Sequence, residues 1–489
     1  MYTDPVKLEI YPNYTRISGP YYFNIVDEAT RFKKNGYQYA EAYKRKVWDG
    51  YTRLFNKKKA IFPSGLVQRV VKLHKKYHPE LQIIIEDNRS FKSDYPKAKT
   101  IKLNGIELRP HQVASVDAML KKKGGVLWAA TNSGKTESAI ALCKALDLKT
   151  VFIVKGRDLV RQTYERYCKR IDPEEVGIIT SSKWDSDKKF VIASADTLSR
   201  RLTPKQKKDG TWPKNSQEKK EAVIEFLQNV DVMIIDECHN AASEGLWNVG
   251  RVCLASYRFG LSGTPFKRGD KQDLKLIGLT GEVCHKVTNK EMIDSGLSVP
   301  VEINVVQIDQ PDIPNYVDYS TAYDKGVIYN EYRNRVAASI GANRYRSGKN
   351  ILFLVSRISH GHELSKELKE IGFVPHNFIW GDSNDEDRKR AIEEYVSGEI
   401  RVLIASTILD VGIDIPNIDV VILCGGGKSH IRALQRIGRG LRLGKDKDKL
   451  EVIDFADCHN KHLAKHSEVR LKAYFKEDCF TISELILDE

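Results

Sequence analysis

No apolar run in the 489 residues reaches the roughly 18 needed to cross a bilayer, and the mean hydropathy is −0.43. The opening MYTDPVKLEI carries acids where a secretory signal would have its apolar stretch, so a cytoplasmic location is expected. Cysteine is sparse: eight residues stand singly at 143, 168, 238, 253, 284, 424, 458 and 479, with no CxxC pair and no His/Cys cluster at zinc-finger spacing. That argues against structural zinc and against a disulfide framework, and leaves buried reduced thiols. With only 16 prolines and 41% apolar residues, the chain is neither largely disordered nor collagen-like.

What is present is length and an uneven charge. At this length about three domains of roughly 100 to 200 residues are expected. Residues 1–100 hold 20 Lys and Arg against 10 Asp and Glu, so +10 of the chain's +14 sits in its first fifth. A foldable segment so basic is the electrostatic footprint of a phosphate-backbone binder. Its strings KLEI and LQIIIE read as short strands, and from Ser64 the residues Leu66, Val67, Val70, Val71 and Tyr77 recur at helical spacing. The other face of that helix carries Arg69, Lys72, Lys75 and Lys76. Trp48 and Phe62 are expected in the core of so small a unit, and Asp49-Gly50 in a turn. DNRSFKSDYPKAKT reads as a linker.

From 101 onward the texture changes to short apolar runs alternating with helical patterns. GVLWAA, TVFIV, FVIASA, DVMIID and RFGLSG form one set, and ILFLV, NFIW, RVLIAS, VVILCG and EVIDF a second. Such runs mark buried parallel strands. We therefore expect an α/β chain: a small basic α+β domain at 1–100 and two doubly wound domains at 101–300 and 301–489, divided where GLSVPVEINVVQ interrupts the pattern. The Lys- and Arg-rich insertion 199–221, with Trp212 inside it, reads as a projecting loop that is either a strand-separating element or a solvated one.

AATNSGKT, Ala129 to Thr136, follows the strand GVLW and precedes the helical pattern ESAIALCKAL. This is the strand, loop, helix order that cradling a triphosphate requires. Backbone N–H groups along Thr131, Asn132, Ser133 and Gly134 would face the phosphates at the helix N-terminus. Lys135 would add a point charge, and the Thr136 hydroxyl a ligand for Mg²⁺. Asn132 stands where glycine is frequent, and Asn tolerates a left-handed backbone better than most residues. The complementary acids come from DVMIIDECH, with Asp236 to hold the Mg²⁺ of ATP through water and Glu237 to polarise the attacking water.

In this order the motifs resemble those of the superfamily-two helicases and translocases. Leu108-Arg-Pro-His-Gln112 is similar to their adenine-reading segment, which implies that Gln112 bonds the base edge and Arg109 stacks on it. Lys135, Asp236 and Glu237 fall on the first and second motifs. Leu261-Ser-Gly-Thr-Pro265 resembles the third, which implies that His239, Ser262 and Thr264 couple the ATP site to the nucleic-acid track. Ser406-Thr407 with Gly412-Ile-Asp-Ile-Pro416 resembles the fifth motif, with Gly412 and Asp414 toward the nucleotide. Gln435-Arg-Ile-Gly-Arg-Gly-Leu-Arg442 resembles the sixth, where Gln435 would read the γ-phosphate. Arg439 and Arg442, three apart on one helical face, would act as arginine fingers. The resemblance further implies two RecA-like domains and a nucleic-acid track along Gly156, Arg157, Thr197, Ser356, Arg357 and Thr407.

DECH instead of DEAD, Gln435 at the head of the sixth motif, and Arg268-Gly-Asp270 after the third resemble the UvsW-type phage helicases and the XPB-like translocases. In the latter the triplet near that position has a central Glu, here Gly269. Lys46-Val-Trp-Asp-Gly-Tyr-Thr-Arg-Leu54 and Phe62-Pro-Ser-Gly-Leu66 are similar to the small N-terminal domain of the UvsW type. That implies an ATP-dependent helicase acting on branched DNA in recombination, repair or replication, compatible with a monomer and with recombination or replication proteins as partners, and with no membrane. An RNA helicase, or a DNA-binding subunit that uses ATP only as a switch, remain alternatives. A nucleotide kinase leaves the second domain and its paired arginines without work.

Overall fold

The computed structural model describes residues 5–19, 22–206, 209–266, 273–372, 374–381, 383–406, 417–427, 447–477 and 479–485. These group into two compact units, 1–129 with 133–287, and 130–132 with 288–489.

The first unit begins with a four-stranded sheet built from β1 (Val6–Ile10), β2 (Thr15–Ser18), β5 (Ile61–Phe62) and β6 (Ile83–Asp87), in the order β5-β2-β1-β6. Between β2 and β5 the chain makes an antiparallel ribbon, β3 (Arg31–Lys33) with β4 (Tyr51–Arg53). In β1 the alternation is strict: Val6, Leu8 and Ile10 are buried while Lys7 and Glu9 face outward. A 3₁₀ turn at Ser64–Leu66 leads into the helix Val67–Tyr77, which buries Val67, Val70 and His74. Arg69, Lys72, Lys75 and Lys76 lie exposed, as expected. Tyr77 does not join the core. Its hydroxyl donates to Glu28 Oε1 at 2.9 Å, a wet partner that suits the polar tip of a phenol. Phe62 is a core residue, whereas Trp48 is half-buried within the ribbon, its indole N–H donating to Tyr51 O.

This small core is not closed on itself, because Leu274 and Ile277 from the helix Asp273–Thr280 pack into it. The approach is so tight that a Cβ at Gly65 would collide with the Ile277 carbonyl. Nor is 87–100 a free tether. Phe91 packs edge-on against Tyr257 at 5.0 Å, the Lys92 N–H donates to the Tyr257 hydroxyl at 2.9 Å, and Tyr95 donates to Leu120 O at 3.0 Å. Polar sequence without periodicity reads as linker, but here the Phe91 and Tyr95 side chains and the Lys92 backbone strap it to the neighbouring layer.

The seven-stranded sheet of the first unit comprises β7 (Gly124–Ala129), β8 (Thr150–Val154), β9 (Val176–Ile179), β10 (Phe190–Ser194), β11 (Val232–Ile235), β12 (Tyr257–Ser262) and β13 (Val283–Val287). Its order is β13-β7-β12-β11-β8-β10-β9, and every pairing is parallel. Strands β8, β11 and β12 are buried at each position, which is why they read as continuous apolar runs. The insertion 199–221 is narrower than its composition suggests. The helix Ala195–Leu202 takes its start and the helix Ser216–Gln228 its end, leaving Trp212 exposed in the connection.

The second unit repeats the plan with β14 (Val301–Ile308), β15 (Ile351–Leu354), β16 (Asn377–Ile379), β17 (Val402–Ala405), β18 (Val420–Leu423), β19 (Leu450–Asp457) and β20 (Phe480–Glu484), in the order β16-β17-β15-β18-β19-β14-β20, again all parallel. The two doubly wound, RecA-like sheets are those expected. The stretch GLSVPVEINVVQ, however, does not interrupt the pattern: Val301–Ile308 is itself a strand between β19 and β20. Its Glu302 and Gln307 disguise it, since polar residues seldom sit in a parallel strand. Among the cysteines, 143, 238, 253 and 424 are buried and Cys458 is exposed. Among the described residues no helix is long and apolar enough to cross a membrane.

Candidate active site

The loop after β7 leads into the helix Lys135–Leu146. Asn132 and Gly134 both take left-handed backbone, with φ of 72° and 73°. At Gly134 the need is steric as well, because a Cβ would strike Gln112 Nε2. The Gln112 amide accepts the Arg109 N–H at 2.9 Å and donates to Ser133 O at 3.2 Å and Gly134 O at 3.4 Å, which leaves one lone pair of Oε1 unused by these bonds. His111 Nε2 reaches the same Ser133 carbonyl at 2.8 Å. Gln112 and His111 thus turn those carbonyls back toward the helix Pro110–Lys122, which leaves the loop's N–H groups to the other side. Lys135 Nζ rests on Ala129 O at 3.3 Å.

Asp236 follows β11, its N–H donating to Ile153 O at 3.0 Å. Desolvation and the neighbouring Glu237 carboxylate raise its carboxyl to about 6, against the opposing pull of Lys135. Glu237 adopts a left-handed backbone, φ 42°, so consecutive acids turn in different directions. Its Oε2 lies 3.2 Å from His239 Nδ1 and 3.5 Å from Ser262 Oγ. Asn240 Nδ2 stands 3.2 Å from His239 Nε2, and as a donor it assigns the ring proton to Nδ1, facing Glu237. Ser262 Oγ also accepts the Thr264 N–H at 3.1 Å and lies 3.2 Å from His239 Nδ1. The structure therefore joins Glu237, His239, Ser262 and Thr264 in one hydrogen-bonded cluster.

Because the sheet is parallel, every following loop emerges at one edge. The phosphate-type loop leaves β7, Ser262 to Thr264 leave β12, and Asp236 leaves β11, three adjacent strands. Gly156 and Arg157 follow β8, and Thr197 follows β10, the next two strands along. Gly156 caps the helix Arg157–Arg170 with φ 98°, whereas Thr197 is buried on its helix, with its N–H bonded to Ser194 Oγ. As placed, the Thr197 side chain has little surface to offer a strand.

In the second unit Ser356 and Arg357 follow β15. Ser356 Oγ donates to Gly425 O at 3.2 Å, and Arg357 pairs with Asp324 at 2.7 Å while lying 5.2 Å above the Tyr323 ring. Two buried ion pairs hold the end of the neighbouring strand. Arg333, paired with Asp457 at 2.7 Å, donates to Cys424 O, and Arg470, paired with Asp454 at 2.9 Å, donates to Gly427 O. Thr407, Gly412, Asp414, Gln435, Arg439 and Arg442 lie outside the described residues, as do Arg268, Gly269 and Asp270.

Three contributors are not evident from the sequence. His111 lies inside the adenine-type motif as a spacer. Asn240, next after DECH, fixes the histidine tautomer. Trp128 reads as one more apolar strand residue, but its indole N–H donates to Gly263 O at 3.0 Å and ties β7 to the third motif. A tryptophan at a strand end can always offer its one donor, which is the signal that was available.

The donor set suits a divalent cation shared with a nucleotide: a threonine hydroxyl at a helix start and a carboxylate near neutrality. Among the described residues no group of three His, Cys, Asp or Glu is placed to cage a metal by itself.

Comparison with known proteins bears on what this edge serves. Residues 105–267 match the family described as type III restriction enzyme, res subunit, and residues 333–444 match the helicase conserved C-terminal domain. The chain is 23% identical to the ATP-dependent DNA helicase uvsW of Enterobacteria phage T4, across 91% of this chain and 92% of the relative. It is 24% identical to the DNA 3'-5' translocase XPB2 of Sulfurisphaera tokodaii, across 77% of this chain and 87% of that one. Its fold is like that of a fragment of a putative HsdR subunit of a type I restriction enzyme from Vibrio vulnificus, with a TM-score of 0.58 at 15% identity, covering 93% and 83% of the two chains. With both helicase families matched in order and two parallel RecA-like sheets to carry them, the chain belongs to the superfamily-two helicases, enzymes driven by ATP hydrolysis.

Proposed function

We propose that this helicase remodels branched DNA: forks, D- and R-loops and four-way junctions. The observation that carries it is the folded +10 unit at residues 1–100, which shares its core with the ATP-binding layer. A basic surface built into the motor can hold duplex arms while the motor draws on one strand. The similarity to a phage DNA helicase over 91% of the chain supports the same reading.

In this mechanism the N–H groups from Thr131 to Gly134 and the Lys135 ammonium bind the β- and γ-phosphates of ATP, and Arg109 and Gln112 face the adenine. Thr136 and Asp236 would hold Mg²⁺, which supplies charge neutralisation at the phosphates when bound. Glu237 orients the attacking water and accepts its proton. Gly412, Asp414 and Gln435 are assigned to nucleotide binding, and Arg439 and Arg442 to stabilising charge on the transferred phosphoryl group. His239, Ser262 and Thr264 relay the state of Glu237 to the nucleic-acid contacts, which we assign to Gly156, Arg157, Ser356, Arg357 and Thr407 and no longer to the buried Thr197. Each turnover then alternates two grips on the backbone.

The test is ATP-dependent strand separation on a four-way junction, a fork, an RNA–DNA hybrid loop and a plain tailed duplex at one salt concentration, with Lys135→Ala as the inactive control. Faster separation of the branched substrates is expected. Equal rates on the tailed duplex would make the protein a general helicase, and preferential stimulation by RNA would make it an RNA motor.

A further inference from the structure

The arm joining β3 to β4, residues 34–50, has no part in the roles above. Lys33, Lys34, Lys44, Arg45 and Lys46 are all exposed, with Glu41 the single acid from 33 to 46. The arm has an aromatic core of its own. Tyr37 and Tyr43 meet edge to face at 4.8 Å, Trp48 is bonded to Tyr51 O at 2.8 Å, and Arg31 and Lys33 lie over the Tyr51 ring at 4.6 and 5.6 Å. The Lys34 N–H donates to Gly50 O at 2.9 Å and closes its base. This is a shaped projection.

Its tip ends in a specific turn. After the short helix Glu41–Lys44, the Lys46 N–H donates to Tyr43 O and the Val47 N–H to Ala42 O, both at 2.9 Å, with Lys46 left-handed at φ 57°. That is the Schellman ending, in which glycine usually takes the left-handed position and the next residue packs back on the helix. Here a lysine accepts the strained backbone, and Val47, in place of packing back, is 81% exposed. Isolated exposed apolar residues are ordinary. An exposed β-branched residue on a turn held by two backbone bonds and preceded there by three cations has the make-up of a wedge that enters a base step while its neighbours neutralise the phosphates. An intact duplex must be unstacked before such a wedge can enter, whereas a branch point already presents an interrupted stack.

We propose that Val47 is an apolar pin that the arm inserts at the branch point of a DNA junction, with Lys44, Arg45 and Lys46 on the flanking phosphates. This rests on the reading of the chain as a DNA motor. Val47→Ser in the full chain, compared with the unsubstituted protein and with K44A/R45A/K46A, tests it. The readouts are affinity for a four-way junction and for a linear duplex at one salt concentration, and fluorescence of 2-aminopurine at the junction centre. Val47→Ser is expected to bind the duplex within about twofold of the unsubstituted protein, to lose roughly tenfold on the junction and to lose the fluorescence change. The triple alanine variant is expected to weaken on both substrates. A Val47→Ser protein that keeps its junction affinity and signal overturns the pin, as does an unsubstituted protein with no junction preference. ATP turnover on linear single-stranded DNA separates the two levels: if DNA fails to stimulate it, the motor reading itself fails, and if stimulation persists with Val47→Ser unchanged, only the pin does.

Discussion

Asp236 ends an apolar strand beside a second acid, and both circumstances resist its ionisation, so its carboxyl is raised from 3.8 to about 6. The sign follows directly: between about pH 4 and pH 6 the folded protein holds a proton that the unfolded chain has released, so this group's contribution to stability falls as pH rises through that window and is constant above it. A cation that needs the ionised form works in the opposite sense. Mn²⁺ affinity of the nucleotide-free protein is therefore expected to rise about tenfold per pH unit up to roughly 6 and then level off, with Asp236→Asn abolishing the trend; an affinity flat from pH 4 upward would remove Asp236 from the metal site. His239 acts at the same scale. Its Nδ1 proton faces Glu237 and its ring reaches Ser262, so His239→Ala is expected to keep nucleic-acid-free ATP turnover within about threefold while reducing DNA stimulation by tenfold or more, measured by phosphate release with and without oligonucleotide. Equal loss of both would make the histidine part of the hydrolytic site and not a coupler. This cluster was foreseeable in kind from DECH and SGT, but the partner that fixes the tautomer, Asn240, was not, because nothing in a sequence gives the direction of an amide.

At the level of elements, most strands were legible because parallel strands buried on both faces are written as unbroken apolar runs. Val301–Ile308, its run broken by Glu302, Asn304 and Gln307, was not legible, and neither were the edge strands β9, β13 and β20. The strap 87–100 escapes sequence reading for a related reason: tertiary packing by single aromatic residues leaves no period. Strand ends in the second unit depend on the buried pairs Arg333–Asp457 and Arg470–Asp454, whose donors grip the carbonyls of Cys424 and Gly427. Truncating one partner leaves an uncompensated buried charge, so Asp457→Ala is expected to destabilise the protein by about 3–5 kcal/mol in denaturant unfolding. A loss below about 1 kcal/mol would show that Arg333 finds other company. Replacing Arg333 and Asp457 together by apolar residues is expected to cost less than Asp457→Ala alone.

For the whole molecule, the shared core around Gly65, Leu274 and Ile277 means that residues 1–100 cannot be cut away cleanly, since removal would bare apolar surface on the ATP-binding layer. Charge is the better handle. Changing Lys72, Lys75 and Lys76 to Ala is expected to weaken duplex binding at all sequences and to lower the slope of log affinity against log salt by about 0.9 for each phosphate that is no longer neutralised, with ATP turnover at saturating DNA unchanged. An unaltered slope would mean that this face does not meet DNA. The sequence by itself determined the α/β class, the order of the motifs and the concentration of positive charge, because burial of parallel strands, a phosphate loop and a charge excess are each local properties of composition and spacing. Only the tertiary structure decided that β7, β12 and β11 stand side by side, that Gln112 and His111 turn the loop carbonyls away, and that Val47 stands out from its arm. Such facts depend on which segments pack together, and packing is set by shape and long-range pairing that no local pattern records.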